Sequence, residues 1–213
     1  MKNVDLLIFD LDGTLVDSKE DLVNAVNFTL KKLKLKELPF GKIVSFIGTG
    51  VNNLIRKSLG AKNSNLVDQG VFIFGDYYRE HFLDKTCLYP HVKSILRYFK
   101  HKAMFVVTNK NKDVALLTLD SLGISKYFKD VTGGDDPSCL KPSVCSLKVA
   151  LKYSKDRKKN IIIGDMDLDV LVGKKAGILT CAVTYGIGKV DDLIKAKPDY
   201  IINNLLELKK IIK

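Results

Sequence analysis

The sequence predicts an α/β fold: a parallel sheet covered by helices on both faces, with a small helical unit inserted near its start. Three observations carry this. The apolar run Leu6-Leu7-Ile8-Phe9 ends abruptly in Asp10-Leu11-Asp12-Gly13-Thr14, as a buried strand does when it delivers polar side chains to a turn. Residues 17–85 then carry helical periodicity and no convincing strand, and from Leu88 onward helices alternate with short apolar strands. Repeated strand-helix units imply parallel neighbours, which are buried on both faces and so read as continuous apolar runs.

The elements follow in order. After the first strand, Ser18 with Asp21 three residues on has the form of an N-terminal capping arrangement. Leu22, Val23, Val26, Leu30 and Leu33 then recur at helical spacing, which predicts a helix over 19–33. Pro39 and Gly41 break the pattern before 43–47, and Gly48-Thr49-Gly50 makes a turn ahead of a short helix ending at Leu59. A further amphipathic segment spans 66–82. The remainder reads as a helix over 91–99, a strand over 103–108 and a helix over 113–122 stopped by Gly123, a good C-terminal capping residue. A short strand at Val131, a helix over 144–153, the strand Ile161-Ile162-Ile163 and a helix over 168–176 ending at Gly177 come next. A strand over 179–183, the Gly186-Ile187-Gly188 loop and a strand-helix pair from Tyr200 complete the chain. Residues 1–16 and 86–213 thus form the α/β core, and 17–85 the inserted helical unit.

Composition bounds the function. At 213 residues the chain can bury a sizeable core. No apolar run approaches the ~20 residues needed to span a bilayer. Asp5, Asp10 and Asp12 interrupt what would be a signal peptide's apolar stretch, so a cytoplasmic protein is expected. The net charge of +11 invites a nucleic-acid role, yet the lysines are spread along probable helix faces and the only arginines are Arg56, Arg79, Arg97 and Arg157. Excess positive charge suits the capture of a small anionic substrate instead. Cys87, Cys139, Cys145 and Cys181 lack metal-binding spacing and are expected to be reduced structural thiols. His81, His91 and His101 are scattered and take no catalytic role.

Chemistry concentrates where strands end. Besides Asp10 and Asp12, one strand runs into Thr108-Asn109-Lys110 and another into Gly164-Asp165-Met166-Asp167-Leu168-Asp169, while Lys141-Pro142 stands in a loop between them. In a parallel sheet such groups converge on one crevice. A carboxylate there can attack phosphorus and carry it covalently, and a second carboxyl can give a proton to the leaving oxygen and later take one from water. Several acids together repel unless a cation is present, and Mg2+ suits both carboxylate and phosphate oxygens. A hydroxyl, backbone N–H groups and a lysine complete what phosphoryl transfer needs. A non-catalytic phosphate-binding protein has no evident use for this acidic cluster.

The set and its order resemble the haloacid dehalogenase superfamily of phosphohydrolases, over nearly the whole chain and with a Rossmann-like core. Asp10-Leu11-Asp12-Gly13-Thr14 matches the first motif, Thr108 the second, Lys141 the third, and Asp165 with Asp169 the fourth. The helical unit at 17–85 matches the small cap domain. The run from Asp10 to Ser18, Gly48-x-Gly50 with Leu54, Tyr89-Pro90 and Gly133-Gly134-Asp135 look most like phosphoglycolate phosphatases. The resemblance implies Asp10 as nucleophile and Asp12 as general acid and base. It implies Mg2+ held by Asp10, the Asp12 carbonyl and Asp165, with Asp169 in support. Thr108 and Asn109 would bind the phosphoryl oxygens and Lys141 would steady the charge. Departures are Met166, where the family often has a small polar residue, the added acid Asp167, His91 where relatives often have glycine, and Val144 in place of a second proline.

Asp12 favours a phosphatase, because relatives that cleave carbon-halogen or carbon-phosphorus bonds lack that acid. A small phosphorylated metabolite, first 2-phosphoglycolate, is the expected substrate, with pyrophosphate, nucleoside monophosphates, and a sugar-phosphate phosphatase or mutase as alternatives. Gly48, Thr49 and Gly50 either bring backbone close to the substrate, with Arg56 or Lys42 reaching a carboxylate, or simply turn the chain. A monomer or homodimer is expected, with no nucleic-acid or membrane partner.

Overall fold

A computed structural model describes residues 1–213. The strands are β1 (Leu6–Phe9), β2 (Val16–Asp17), β3 (Cys87–Leu88), β4 (Ala103–Val107), β5 (Asp130–Thr132), β6 (Asn160–Gly164), β7 (Leu179–Val183) and β8 (Tyr200–Ile202). The helices are α1 (Lys19–Lys32), α2 (Phe40–Val44), α3 (Val51–Leu59), α4 (Val67–His81), α5 (Val92–Tyr98), α6 (Lys112–Ser121), α7 (Asp167–Ala176), α8 (Val190–Ala196) and α9 (Leu208–Ile211). Six strands form one parallel sheet in the order β5-β4-β1-β6-β7-β8. The chain starts in the middle at β1, builds outward on one side through β4 and β5, then crosses to β6 and builds outward on the other. That reversal leaves a crevice beyond the carboxyl ends of β1, β4 and β6, where open α/β sheets place their ligands.

Burial on both faces explains why the strands read as unbroken apolar runs. Leu7, Phe9, Val106 and Ile163 pack into one buried layer, while Leu6, Ile8, Phe105 and Ile162 pack into the layer on the opposite face. A third cluster lies within the insertion, where Val26 and Leu30 of α1 meet Phe74 and Tyr78 of α4 together with Leu54 and Ile55 of α3. The helical segment and the sheet therefore have separate apolar cores. No helix is long and apolar enough to cross a membrane.

Four local expectations are corrected. Ser18 and Asp21 do not cap α1 with their side chains. Ser18 turns back to Asp12, and buried Asp21 accepts hydrogen bonds from the Lys85 and Thr86 N–H groups and the Thr86 hydroxyl, at 2.7–3.0 Å. That contact ties the start of the insertion to its end, beside the short antiparallel β2-β3 ribbon pairing Val16 with Leu88. Second, residues 144–153 form two separate 3-10 turns rather than one α-helix. There the Ser146 hydroxyl bonds the Ser143 carbonyl at 2.7 Å, offering the backbone an alternative to helical pairing. Third, Cys139 and Cys145 are joined by a disulfide, not reduced, because the tight turns between them bring their Cα atoms to 5.2 Å. Cys87 and Cys181 are free. Fourth, Arg56 sits on the solvent face of α3, whose other side buries Leu54, Ile55, Ser58 and Leu59; Lys42 is exposed as well. His91 adopts φ 68°, a left-handed conformation that favours glycine.

Candidate active site

The loop after β1 winds tightly. The N–H groups of Thr14, Leu15 and Val16 all donate to the Leu11 carbonyl at 2.9–3.2 Å, and the Gly13 N–H donates to Val16. Gly13 is required at this bend: its φ is 89°, and a Cβ there would collide with the Asp165 carboxylate. The N–H groups of Leu11, Asp12 and Asn109 have no partner within the chain, so they are free to hold an anion.

Asp10, Asp165 and Asp169 are all buried, and their carboxylate oxygens lie within 4.8 Å of one another. Lys141, also buried, has its ammonium 2.7 Å from Asp10 and 2.7 Å from Asp169. Apart from that ammonium, Asp10 Oδ1 has no hydrogen-bond partner within the chain. Asp165 is pinned instead: Oδ1 accepts from the Thr14 hydroxyl at 2.9 Å, and Oδ2 from the Ile187 and Gly188 N–H groups at 2.8 and 3.2 Å. Asp169 Oδ2 accepts from the Met166 N–H at 3.1 Å, which places Asp169 beside the cluster as a brace at the start of α7.

Electrostatics state what this cluster lacks. Burial raises Asp10 to about 8, with Asp169 and Asp165 adding to the rise and Lys141 opposing it. Burial and the Asp169 charge raise Asp165 to about 6 against the pull of its N–H and hydroxyl donors. Burial would lower Lys141, but the Asp10 and Asp169 carboxylates outweigh it and hold the ammonium above its ordinary range. Three buried carboxylates face one ammonium, and Asp10, raised to about 8, is the one that needs a further cation to be ionised at neutral pH. The all-oxygen donor set of Asp10, Asp165 and Asp169 fits a hard metal ion.

Asp12 stands apart from that cluster. Its Oδ1 accepts from the Ser18 hydroxyl at 2.6 Å, and both its oxygens accept from the Lys110 ammonium at 3.0 and 3.2 Å. Lys110 also donates to the Tyr78 hydroxyl of α4 at 2.7 Å. Burial would lower Lys110, but Asp12 and Tyr78 raise it, so it stays an ammonium; burial pushes the Tyr78 phenol up to about 12. Thr108 Oγ1 accepts from the Lys110 N–H at 3.2 Å, leaving its own proton to donate outward.

Asp10, Asp12, Thr108 and Lys110 line a cavity of about 320 Å³ between the sheet and the insertion, roofed by apolar side chains including Leu54, Phe72 and Phe74. Gly48 and Gly50 line it too, but the groups that approach them are Met166 and Leu140 of the α/β core. The Asn109 amide is occupied, donating to the Gly48 and Lys141 carbonyls and accepting from the Lys141 N–H. It therefore clamps the Lys141 loop and the insertion's glycine turn to β4, and only its main-chain N–H is left without a partner. Arg56 and Lys42 do not line the cavity, whereas Arg79 does, ion-paired with Asp113. Tyr78, Lys110 and the Gly186–Gly188 loop carry no site role in the sequence reading, and Ser18 only a capping one. Lys110 adjoins Thr108-Asn109 and so carried a signal, but Tyr78 reads as one more apolar-face residue of a helix.

A parallel sheet with paired aspartates after its central strand, a lysine from a distant loop and an acidic cluster at the next crossover defines a class of hydrolase. Residues 7–183 match the sequence profile of the haloacid dehalogenase-like hydrolases, and the chain belongs to that family. It is 33% identical over 219 residues to the phosphoglycolate phosphatase of Neisseria meningitidis, covering 98% of this chain and 93% of that protein. It is also 33% identical over 210 residues to that of Aquifex aeolicus, covering 97% and 96%. A solved structure described as a predicted phosphoglycolate phosphatase from Haemophilus somnus superposes with a TM-score of 0.92 at 28% identity over 99% of each chain. A haloacid dehalogenase-like hydrolase from Streptococcus pneumoniae does so at 0.89 and 27%, again over 99% of each chain. Within its family the chain is phosphoglycolate phosphatase-like, a phosphatase by class.

Proposed function

We propose that the protein is a cytoplasmic, Mg2+-dependent phosphatase of small phosphomonoesters, with 2-phosphoglycolate first among them, acting through an aspartyl-phosphate on Asp10. The observation that carries this reading is the position of Asp10: buried, 2.7 Å from Lys141, beside two further carboxylates, and open to a cavity it shares with Asp12 and Thr108. Asp10, the Asp12 carbonyl and Asp165 would hold the cation, with Asp169 in support; bound there, Mg2+ would offset the charge on the phosphoryl oxygens. The Thr108 hydroxyl and the free N–H groups of Leu11, Asp12 and Asn109 are disposed to grip those oxygens while Asp10 attacks phosphorus. Asp12 would protonate the leaving alkoxide, then take a proton from the water that cleaves the acyl phosphate. A cavity of about 320 Å³ suits a small ester, and the relatives named above are phosphoglycolate phosphatases.

The test is kcat/KM across 2-phosphoglycolate, pyrophosphate, nucleoside monophosphates and hexose phosphates, with isomerised sugar phosphates monitored. Preference for 2-phosphoglycolate with release of inorganic phosphate is expected. A better turnover of pyrophosphate, or a mutase product, would replace this reading. Asp10→Asn should lose at least about a thousandfold in kcat and trap no phosphate on the protein, with Tm held within a few degrees. Substantial residual turnover would remove Asp10 as nucleophile.

A further inference from the structure

Tyr78 belongs to the helical insertion, yet its hydroxyl reaches the proton-transfer carboxylate of the sheet through a single intermediary. The Lys110 ammonium has three N–H bonds. One shared N–H can serve both Asp12 oxygens, at 3.0 and 3.2 Å, and a second serves the Tyr78 hydroxyl at 2.7 Å. Its side chain is 7% exposed and its ammonium lies 4.7 Å from the centre of the Tyr78 ring. The Tyr78 ring is itself fixed, stacked on Phe74 with centroids 5.2 Å apart. The next residue along α4, Arg79, is ion-paired with Asp113 at the start of α6, so two consecutive residues of the insertion dock on the core between Lys110 and the first turn of α6.

We infer that Tyr78 is a positioning residue for the phosphatase reaction: its hydroxyl fixes Lys110 so that the ammonium holds the Asp12 carboxylate in the orientation that serves the leaving oxygen. This rests on the reading of Asp12 as general acid and base. The insertion thereby contributes to proton transfer as well as to enclosing the substrate. Ser18 also holds Asp12 Oδ1, at 2.6 Å, so the carboxylate is set by Ser18 at the insertion's entry and by Lys110, which Tyr78 of α4 fixes.

The consequence is selective. Protonation of the leaving group matters for an alkyl phosphate, whose alkoxide leaves poorly, and little for an aryl phosphate such as p-nitrophenyl phosphate, whose phenolate leaves readily. In the full-length, Mg2+-loaded protein, Tyr78→Phe keeps the ring and deletes the hydroxyl. It should lower kcat for the best alkyl substrate of the panel about tenfold at nearly unchanged KM, and lower kcat for p-nitrophenyl phosphate less than about threefold. Lys110→Met should give the same selectivity, and the double variant should be no worse than Lys110→Met alone. Equal losses on both substrates, a change confined to KM, or additive losses in the double variant would each overturn the role of Tyr78. Failure of the wild-type protein to turn over either ester would instead take down the phosphatase reading itself.

Discussion

Asp10 is held at the wrong end of its titration for the chemistry, and Asp165 is raised in the same direction. Their raised values, about 8 and about 6 against an ordinary 3.8, mean that the folded chain favours their protonated forms. A raised acid contributes stability that is complete below its unfolded value and lost as pH rises through its folded value. These two groups therefore weaken the metal-free protein progressively from about pH 4 to about pH 8. A divalent cation needs the deprotonated carboxylates, so the Tm gain on adding Mg2+ to chelator-treated protein should be larger near pH 8 than near pH 5. Equal gains at both would mean that this cluster is not where the ion binds. Ser18 makes a second prediction at this scale. Its hydroxyl donates to Asp12 at 2.6 Å, and a hydrogen bond to a charged group is worth about 1.5–3 kcal/mol. Ser18→Ala should lower kcat roughly tenfold while Tm stays within a few degrees, and an unchanged kcat would mean that Lys110 alone suffices to orient Asp12.

Among the elements, the joint between sheet and insertion bears most on function. β2 and β3 are two residues each, and such a short ribbon adds little by itself. Asp21 of α1 reinforces it by accepting from two N–H groups and a hydroxyl at residues 85–86, all at 2.7–3.0 Å. Deleting that buried carboxylate leaves several donors without an acceptor, so Asp21→Ala should cost about 2–4 kcal/mol, read as a drop in the urea midpoint. A loss under about 1 kcal/mol would show that water replaces it readily. Periodicity located α1, α3 and α4 to within a residue or two, because each buries one stripe against its neighbours. The same reasoning failed at 144–153, where serine side chains bond local carbonyls and the Cys139–Cys145 link constrains the preceding turn. It also misread Ser18 and Asp21: a capping pattern is local, and both side chains found stronger partners far along the fold or across the active-site loop.

On the scale of the molecule, the chain carries a net charge of +11, and the substrate proposed for the cavity is an anion. Spread positive charge raises the local concentration of anions and is screened beyond about 10 Å at 0.1 M salt. Raising ionic strength from about 0.02 to about 0.2 M should therefore reduce kcat/KM for a phosphomonoester several-fold and leave kcat nearly constant. A kcat that falls in parallel would point to salt acting on the bound complex instead. The sheet order also acts at this scale, since starting at β1 and building outward on both sides brings residues 10, 108, 141 and 165 to one edge.

The sequence by itself determined the parallel α/β architecture, the helical insertion, and the identity of Asp10, Asp12, Thr108, Lys141, Asp165 and Asp169 as chemical groups. Apolar periodicity is written locally, and reactive residue types at strand ends carry their meaning with them. Only the tertiary structure decided what each polar group touches. It engaged Asn109 as a clamp, turned Arg56 to solvent, paired Cys139 with Cys145, and set Lys110 between Asp12 and Tyr78. Hydrogen bonds and ion pairs form between residues tens of positions apart, and their geometry is fixed by how the insertion packs on the sheet.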